Sequence, residues 1–317
     1  MKAKGKLFIQ IPCLNEQATI GSVLKSIPIQ KLNELGLSVK TLVIDDNSGD
    51  RTLEYAKRSG ADFFIKHRKT VGLARTFKDG LNFCLNHGAD IIVNTDGDDQ
   101  YDQNEILKLI NPILKGEADM VIGDRQINKL RFMPLNKKIG NLFGSWVLRV
   151  LTGVEIPDAS SGFRAFDKEL GSEYNLQSDH TYTHETIIQA ANKGFGIISI
   201  PVNFKKRSNG TSRLISAGVY DHIKKSSGTI IRSILLYKAF KYLLVIGGFI
   251  TTLGILVGVR FLYFFLDGRG TGHIQSLVLS SVLINLGFMV IVLGFIADLI
   301  SVNRKTIESL KSKIKSR

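Results

Sequence analysis

Two nearly uninterrupted apolar runs limit the possible folds of this chain more than any other feature. The first, Phe240 to Leu266, is broken only by Lys241 and Arg260, and the second, Leu277 to Ile300, has Asn285 and Asp298 as its polar exceptions. As a helix, each is long enough to cross a hydrocarbon core of roughly 30 Å. The link between them, Asp267 to Ser276, is short and glycine-rich. Globular helices are rarely apolar on every face, so the pattern describes a membrane hairpin. Lys224, Lys225, Arg232, Lys238 and Lys241 precede it, and Arg304, Lys305, Lys311, Lys313, Lys315 and Arg317 follow it. The link itself holds only Arg269. By the positive-inside rule, both termini are expected on the cytoplasmic side.

Those flanks account for part of a strong charge imbalance. The 317 residues include 42 Lys and Arg against 28 Asp and Glu, a formal charge of +14. Such a balance fits a polyanionic partner: nucleic acid, an anionic membrane surface or a phosphate-bearing substrate. The membrane surface takes up some of it. No recognised nucleic-acid motif appears, so no nucleic-acid partner is expected. The two cysteines, Cys13 and Cys84, lie in apolar contexts without a partner at metal spacing. They read as buried free thiols rather than a disulfide.

Upstream of the hairpin, strands and helices alternate. Lys6 to Pro12, Val39 to Ile44, Asp62 to Lys66, Asp90 to Asn94 and Met120 to Ile122 read as strands, with helices over about 18–27, 72–85 and 104–114. This alternation predicts a mostly parallel, doubly wound sheet. Neither G-x-G-x-x-G nor G-x-x-x-x-G-K-[ST] occurs, so no glycine nest for phosphate is predicted. Instead, Ile91-Ile92-Val93-Asn94 stops at a cluster in which Asp96, Asp98, Asp99 and Asp102 lie within seven residues. Open α/β sheets bind ligands at the carboxyl ends of their strands. So many anions repel one another unless a cation is shared, and hard oxygen ligands suit Mg²⁺ or Mn²⁺ held together with substrate phosphates.

Beyond Gly123 the alternation ceases. Lys129, Arg131, Lys137, Lys138 and Arg149 are interleaved with Leu135, Ile139, Leu142, Phe143 and Trp146, an amphipathic pattern expected to be helical over about 135–151. Such a helix either faces the core or lies on a membrane surface. A turn at Pro157 to Gly162 leads into a strand, His184-Glu185 opens a helix, and 196–201 reads as a strand. Lys205 to Leu214 forms a basic loop suited to a phosphate, followed by a helix from about Ile215 to Tyr237. His67 reads as a surface residue.

Several of these motifs, in this order, resemble the inverting GT-A glycosyltransferases. The resemblance lies in Ile11-Pro12-Cys13-Leu14-Asn15-Glu16, in Val43 to Thr52, and in Thr95-Asp96-Gly97-Asp98-Asp99-Gln100, which is similar to a D-x-D-x-Q motif. Gly123-Asp124-Arg125, Asp158 to Phe166, Arg207 to Leu214 and the two-helix tail resemble the polyprenyl-phosphate branch, with its dolichol-phosphate mannosyltransferases and undecaprenyl-phosphate glucosyltransferases. The resemblance implies a Rossmann-like GT-A domain over 1–214, an amphipathic juxtamembrane helix over 215–239, the hairpin over 240–302 (spans 240–266 and 277–300) and a basic tail over 303–317. It further implies that Pro12, Leu14, Glu16, Asp45 and Asp46 line a nucleotide-sugar pocket together with Asp96 and Gly97. Asp98 and Gln100 would hold the metal. Arg125, Arg131, Arg207, Ser212 and Arg213 would meet the lipid phosphate or the donor diphosphate.

A lipid phosphate, with a second pKa near about 6 by analogy with phosphorylated side chains, is already largely anionic at neutral pH. It needs guiding rather than deprotonation, so direct in-line displacement with inversion is expected, with Asp98 as the central catalytic carboxylate. Were the acceptor a lipid or glycan hydroxyl instead, a general base would be required, and Asp158 and Glu185 are the candidates. A non-catalytic membrane scaffold is the reading from a different class, and metal-dependent binding of a nucleotide diphosphate separates it from both. A homo-oligomer is compatible with so short an anchor.

Overall fold

The computed structural model describes residues 5–176, 182–207 and 239–315. The expected sites Ser212 and Arg213, and the expected juxtamembrane helix, lie outside them. The chain divides into two compact units, Met1–Ile230 and Ile231–Arg317.

In the first unit the strands are β1 (Gly5–Cys13), β2 (Leu37–Asp45), β3 (Phe63–Lys66), β4 (Ile91–Asn94), β5 (Met120–Asp124), β6 (Arg164–Asp167) and β7 (Ile197–Pro201). The helices are α1 (Ile20–Ser26), α2 (Ile29–Glu34), α3 (Thr52–Arg58), α4 (Leu73–Asn86), α5 (Ile106–Leu114), α6 (Leu135–Thr152), α7 (Lys168–Glu173) and α8 (Thr183–Asn192). The strands form one sheet in the order β3-β2-β1-β4-β6-β5-β7. β1 runs parallel to β2 and β4, β2 to β3, and β5 to β7. β6 alone is antiparallel, paired to β4 on one side and β5 on the other. The carboxyl ends of β1, β2, β4 and β5 therefore open onto one edge of the sheet.

Both faces of the sheet are covered, which is why its central strands are apolar throughout rather than alternating. Leu7, Ile9, Ile11, Val93, Val121 and Ala165 join Ile20, Val23, Ile106, Leu109 and Ile110 in one core layer. Phe8, Leu42, Ile44, Ile92 and Phe166 are buried on the opposite face, where Phe77 of α4 meets Phe166 at a ring separation of 6.1 Å. Cys13 and Cys84 are both buried free thiols, as expected. The short α2 and α7 went unread in the sequence, and so did the antiparallel placement of β6.

The second unit is a pair of long helices, Ala239–Leu266 and Ile274–Lys315, joined by a tight turn. Phe240–Leu266 and Ile274–Ser301 are each long and apolar enough to cross a membrane. Small residues let the two backbones approach closely, as in packed membrane helices. A Cβ on Gly247 would lie 2.7 Å from the Gly287 carbonyl oxygen, and one on Gly254 would lie 2.9 Å from the Ile284 nitrogen. The Ser280 hydroxyl donates to the Gly254 carbonyl at 2.8 Å. Away from this seam, side chains such as Phe249, Leu256, Phe288 and Leu293 are exposed.

Candidate active site

The edge where the parallel strands end is built from tightly turned loops. Asn15, Asn47, Asp99 and Gln126, which follow β1, β2, β4 and β5, are the non-glycine residues with left-handed backbone among the described residues. Such conformations are uncommon outside glycine, though Asn and Asp tolerate them best. Here they turn each chain sharply at the end of its strand. Backbone strain of this kind gathers at functional sites.

The loops after β1 and β2 are laced together. The Asn15 amide donates to Ser48 Oγ at 2.8 Å, the Glu16 amide to Thr52 Oγ1 at 2.7 Å and the Gly49 amide to Asn15 Oδ1 at 2.7 Å. Asp45 accepts from the Ser48 amide at 3.1 Å. Asp46 reaches the other way. Its Oδ1 accepts from the Val71 amide and meets His67 Nδ1, each at 2.9 Å, and its Oδ2 accepts from the Gly72 amide at 2.9 Å. Asp46 therefore latches the start of α4 to the end of β2. His67 is not the surface residue expected from sequence, because its side chain is only 12% exposed against Asp46. Pro12 is buried and Leu14 half-buried beside these loops.

After β4 the acidic cluster begins. Gly97 is locked in place: its carbonyl accepts from Thr19 Oγ1 at 2.7 Å. A Cβ on it would sit 2.6 Å from Cys13 Sγ, so only glycine fits. Gly97→Ala is expected to destabilise the protein by about 1–3 kcal/mol through overpacking. Cys13→Ala in the same chain should recover most of that loss, which melting curves of the single and double variants would show.

Beside Gly97, Asp96 lies under Gly162, whose Cβ would come within 3.1 Å of both carboxylate oxygens. Withdrawal from solvent, and then the neighbouring Asp98 carboxylate, push Asp96 up to about 7. Burial raises Asp98 as well, against the pull of Arg207. The Asp98 Oδ1 accepts from the Gln100 amide at 3.3 Å. Gln100 Nε2 donates to the Lys205 carbonyl at 3.0 Å, and the Lys205 amide donates back to the Gln100 carbonyl at 2.8 Å. With the Tyr101–Phe204 bridge, this short ladder carries Arg207 to the acidic cluster. Arg207 Nη2 pairs with Glu16 Oε1, and its Nη1 lies 3.8 Å from Asp98 Oδ2.

A second guanidinium enters from β5. Arg125 grips Asp158 as a fork, Nε to Oδ2 at 2.6 Å and Nη2 to Oδ1 at 2.8 Å. Nη2 also donates to Ser160 Oγ at 2.6 Å, and Ser160 donates to Asn141 Oδ1 of α6 at 2.7 Å. The guanidinium lies over the Phe204 ring, 5.3 Å from its centroid. Burial raises the Asp158 carboxyl, but the charge and hydrogen bonds of Arg125 outweigh it and hold the group below the usual carboxylate range. With both oxygens engaged and 0% exposure, Asp158 is suited to fixing Arg125 and poorly suited to taking a proton.

Arg164 is a residue that sequence reasoning passed over. Only 1% exposed, it donates to the carbonyls of Ser161, Ala159 and Thr183 at 2.6–2.7 Å and to Thr186 Oγ1 at 2.8 Å. It ties the 159–162 turn to α8, and burial lowers its guanidinium from the ordinary value. An arginine inside the apolar run Phe163 to Phe166 was the available signal. Under the site, Asn94 accepts from Gln10 at 3.0 Å and donates to the Gly162 carbonyl at 2.8 Å and to the Tyr182 hydroxyl at 2.9 Å. Glu185 is nearly buried on α8 and accepts from Gln189 Nε2 at 3.1 Å. Arg131 is exposed before α6. The fold thus brings Glu16, Asp96, Asp98, Gln100, Arg125 and Arg207 to one edge of the sheet.

Among the described residues, no three acidic, His or Cys side chains converge as in a closed metal site. A magnesium-type ion, however, needs only one or two carboxylates plus substrate phosphates. Crowded carboxylates with raised pKa values, which already draw in a guanidinium, fit such an ion.

Comparison with known proteins identifies the family and the fold. The family model described as Glycosyl transferase family 2 matches residues 8–174, more than half of the chain. An uncharacterised protein of Methanocaldococcus jannaschii is 31% identical over 204 residues, 63% of this chain and 81% of the relative. A UDP-N-acetylglucosamine–dolichyl-phosphate N-acetylglucosaminyltransferase of Methanococcus voltae is 28% identical over 239 residues, 68% of this chain and 93% of the relative. Among solved structures, glucosyl-3-phosphoglycerate synthase from Mycobacterium tuberculosis in complex with Mn²⁺, UDP and glucosyl-3-phosphoglycerate shares the fold. Its TM-score is 0.54 at 21% identity, over 74% of this chain and 80% of that one.

Proposed function

This chain belongs to glycosyl transferase family 2, and from that premise we propose that it moves a sugar from a nucleotide diphosphate donor to a polyprenyl phosphate, with inversion, at a membrane surface. The observation that carries the reading is the meeting of Glu16, Asp96 and Asp98 with two guanidinia, Arg125 and Arg207, at the carboxyl edge of the sheet. The M. voltae relative is named for transfer to dolichyl phosphate, and the M. tuberculosis structure holds UDP and Mn²⁺ in the same fold. Both support the substrate classes.

In this reading, residues 1–214 carry catalysis and residues 240–302 the anchor, with both termini in the cytoplasm. Pro12, Leu14, Glu16 and Asp45 line the nucleotide pocket, and Asp46 keeps its wall closed by latching α4. Asp98 and Gln100 would hold Mg²⁺ or Mn²⁺, which when bound neutralises the departing diphosphate. Arg125, fixed by Asp158, presents charge to an incoming phosphate, a task for which arginine is suited. Because that phosphate is already an anion, no protein base is required, and a buried, paired Asp158 is consistent with this.

The deciding experiment gives purified full-length protein radiolabelled UDP- and GDP-sugars together with polyprenyl phosphate, with and without Mn²⁺. A metal-dependent, acid-labile, organic-extractable glycolipid is the expected product. Transfer only to a hydroxyl lipid would overturn the phosphate acceptor and return Glu185 and Asp158 to consideration as bases. No transfer with no nucleotide binding would overturn the reading as a whole.

The same reading lays α6 on the membrane. Leu135, Ile139, Leu142, Phe143, Trp146 and Val150 are exposed along one stripe, with Trp146 at 52%. Trp146 is the only tryptophan in the chain. Reconstituted into vesicles containing brominated lipid, the protein should show strongly quenched tryptophan emission; unquenched emission would place α6 in water.

A further inference from the structure

The two arginines of the site are held in different ways, and the contrast is informative. Arg125 meets one carboxylate as a planar fork with both arms at ordinary hydrogen-bond length. That is how a guanidinium is held when one partner is its permanent home. Arg207 does otherwise. It spreads between two carboxylates from different loops, Glu16 after β1 and Asp98 after β4, with the second contact at 3.8 Å. Its Nε–H is buried and has no hydrogen-bond partner among the described residues. An unmade bond on a buried donor is costly. Arg207 is thus anchored to Glu16 by a hydrogen bond, whereas its hold on Asp98, at 3.8 Å, is one of charge alone.

We propose that Arg207 is the resident counter-cation of the acidic cluster, that a divalent metal ion must displace it from Asp98, and that its release hands a guanidinium to the phosphate oxygens that arrive with substrate. This rests on the functional reading above and adds an order to it: the charge that stabilises the resting site is the charge later used on substrate. The topology suits such an exchange. Arg207 stands two residues beyond Lys205, which is tied to Gln100 by a hydrogen bond in each direction. A change at Gln100 is therefore conveyed directly to the segment bearing Arg207. Two cations at Asp98 repel each other, so metal and guanidinium compete there.

The test measures Mn²⁺ binding to the full-length protein in detergent, without nucleotide, by the paramagnetic resonance signal of the free ion. Wild type should bind Mn²⁺ alone weakly. Arg207→Ala and Arg207→Gln should each bind it about tenfold more tightly, because the competing charge is gone, whereas Arg207→Lys, which keeps a cation, should stay near wild type. Melting curves show whether each variant is folded, and two neutral variants of different shape guard against one that is not. Neutral variants that are folded and bind Mn²⁺ with UDP, but bind Mn²⁺ alone no more tightly than wild type, would overturn the exchange and leave the functional reading intact. No Mn²⁺ binding by any form, even with UDP, would overturn both.

Discussion

Asp158→Asn is expected to lower stability by about 3–5 kcal/mol, because it removes the carboxylate from a buried pair and strands the Arg125 guanidinium. Asp158 is fully buried and the Arg125 side chain is 13% exposed, so little water is at hand to compensate. The pH dependence of the loss has a definite sign. Arg125 holds the folded-state pKa of Asp158 below its unfolded value. The stabilisation is therefore complete above the unfolded pKa of about 3.9, and it fades as the pH falls through the lower folded value. The gap in unfolding free energy between wild type and variant should be constant from neutral pH down to about pH 4 and should close below it. Denaturant unfolding of the full-length protein across that range reads it directly. A general base would behave otherwise: the variant would keep wild-type stability and lose turnover alone.

Asp98→Asn should show the opposite division. Its carboxylate stands beside the like charges of Glu16 and Asp96, and burial raises its pKa even against the pull of Arg207. Removing the charge relieves repulsion, so the metal-free variant should melt at or above the wild-type temperature. Turnover should nevertheless fall on the order of 10²–10³-fold, the cost typical of losing one preorganised element that stabilises developing charge. Mn²⁺ binding in the presence of UDP should weaken in parallel. Matched melting and transfer measurements check both halves. A clear loss of melting temperature would make Asp98 a structural residue instead.

The elements legible in the sequence are those whose signal is local. The β1 run, the strand ending at Asn94, the amphipathic α4 and the first apolar span are all carried by periodicity or by unbroken hydrophobicity. The acidic cluster was equally plain, because charge density needs no partner to be seen. What escaped depends on residues far apart in the chain. β6 is four residues long and acquires its meaning by inserting between β4 and β5, which no local pattern records. Arg207 reaches Glu16 across 191 residues. Asp158 reads as a candidate base in the sequence because its partner, Arg125, lies 33 residues upstream. Arg164 is charged in the sequence yet is satisfied almost wholly by carbonyls. His67, similarly, is drawn inward by Asp46. In each case tertiary hydrogen bonding overrides what the residue type alone would indicate.

The place of β6 also bears on how the protein is made. β5 pairs with β6 and β7 and with no earlier strand. The first four strands can assemble as soon as they leave the ribosome, since β1, β2, β3 and β4 pair among themselves. Met120 to Asp124 must then wait, apolar and unpaired, while some forty further residues are translated, a few seconds at the usual rates of synthesis. During that interval α6, with its exposed apolar stripe, also emerges. A nascent chain in that state offers a hydrophobic strand and a hydrophobic helix together. It is at this point in biosynthesis, before either membrane span has been made, that chaperone or bilayer contact would protect it most.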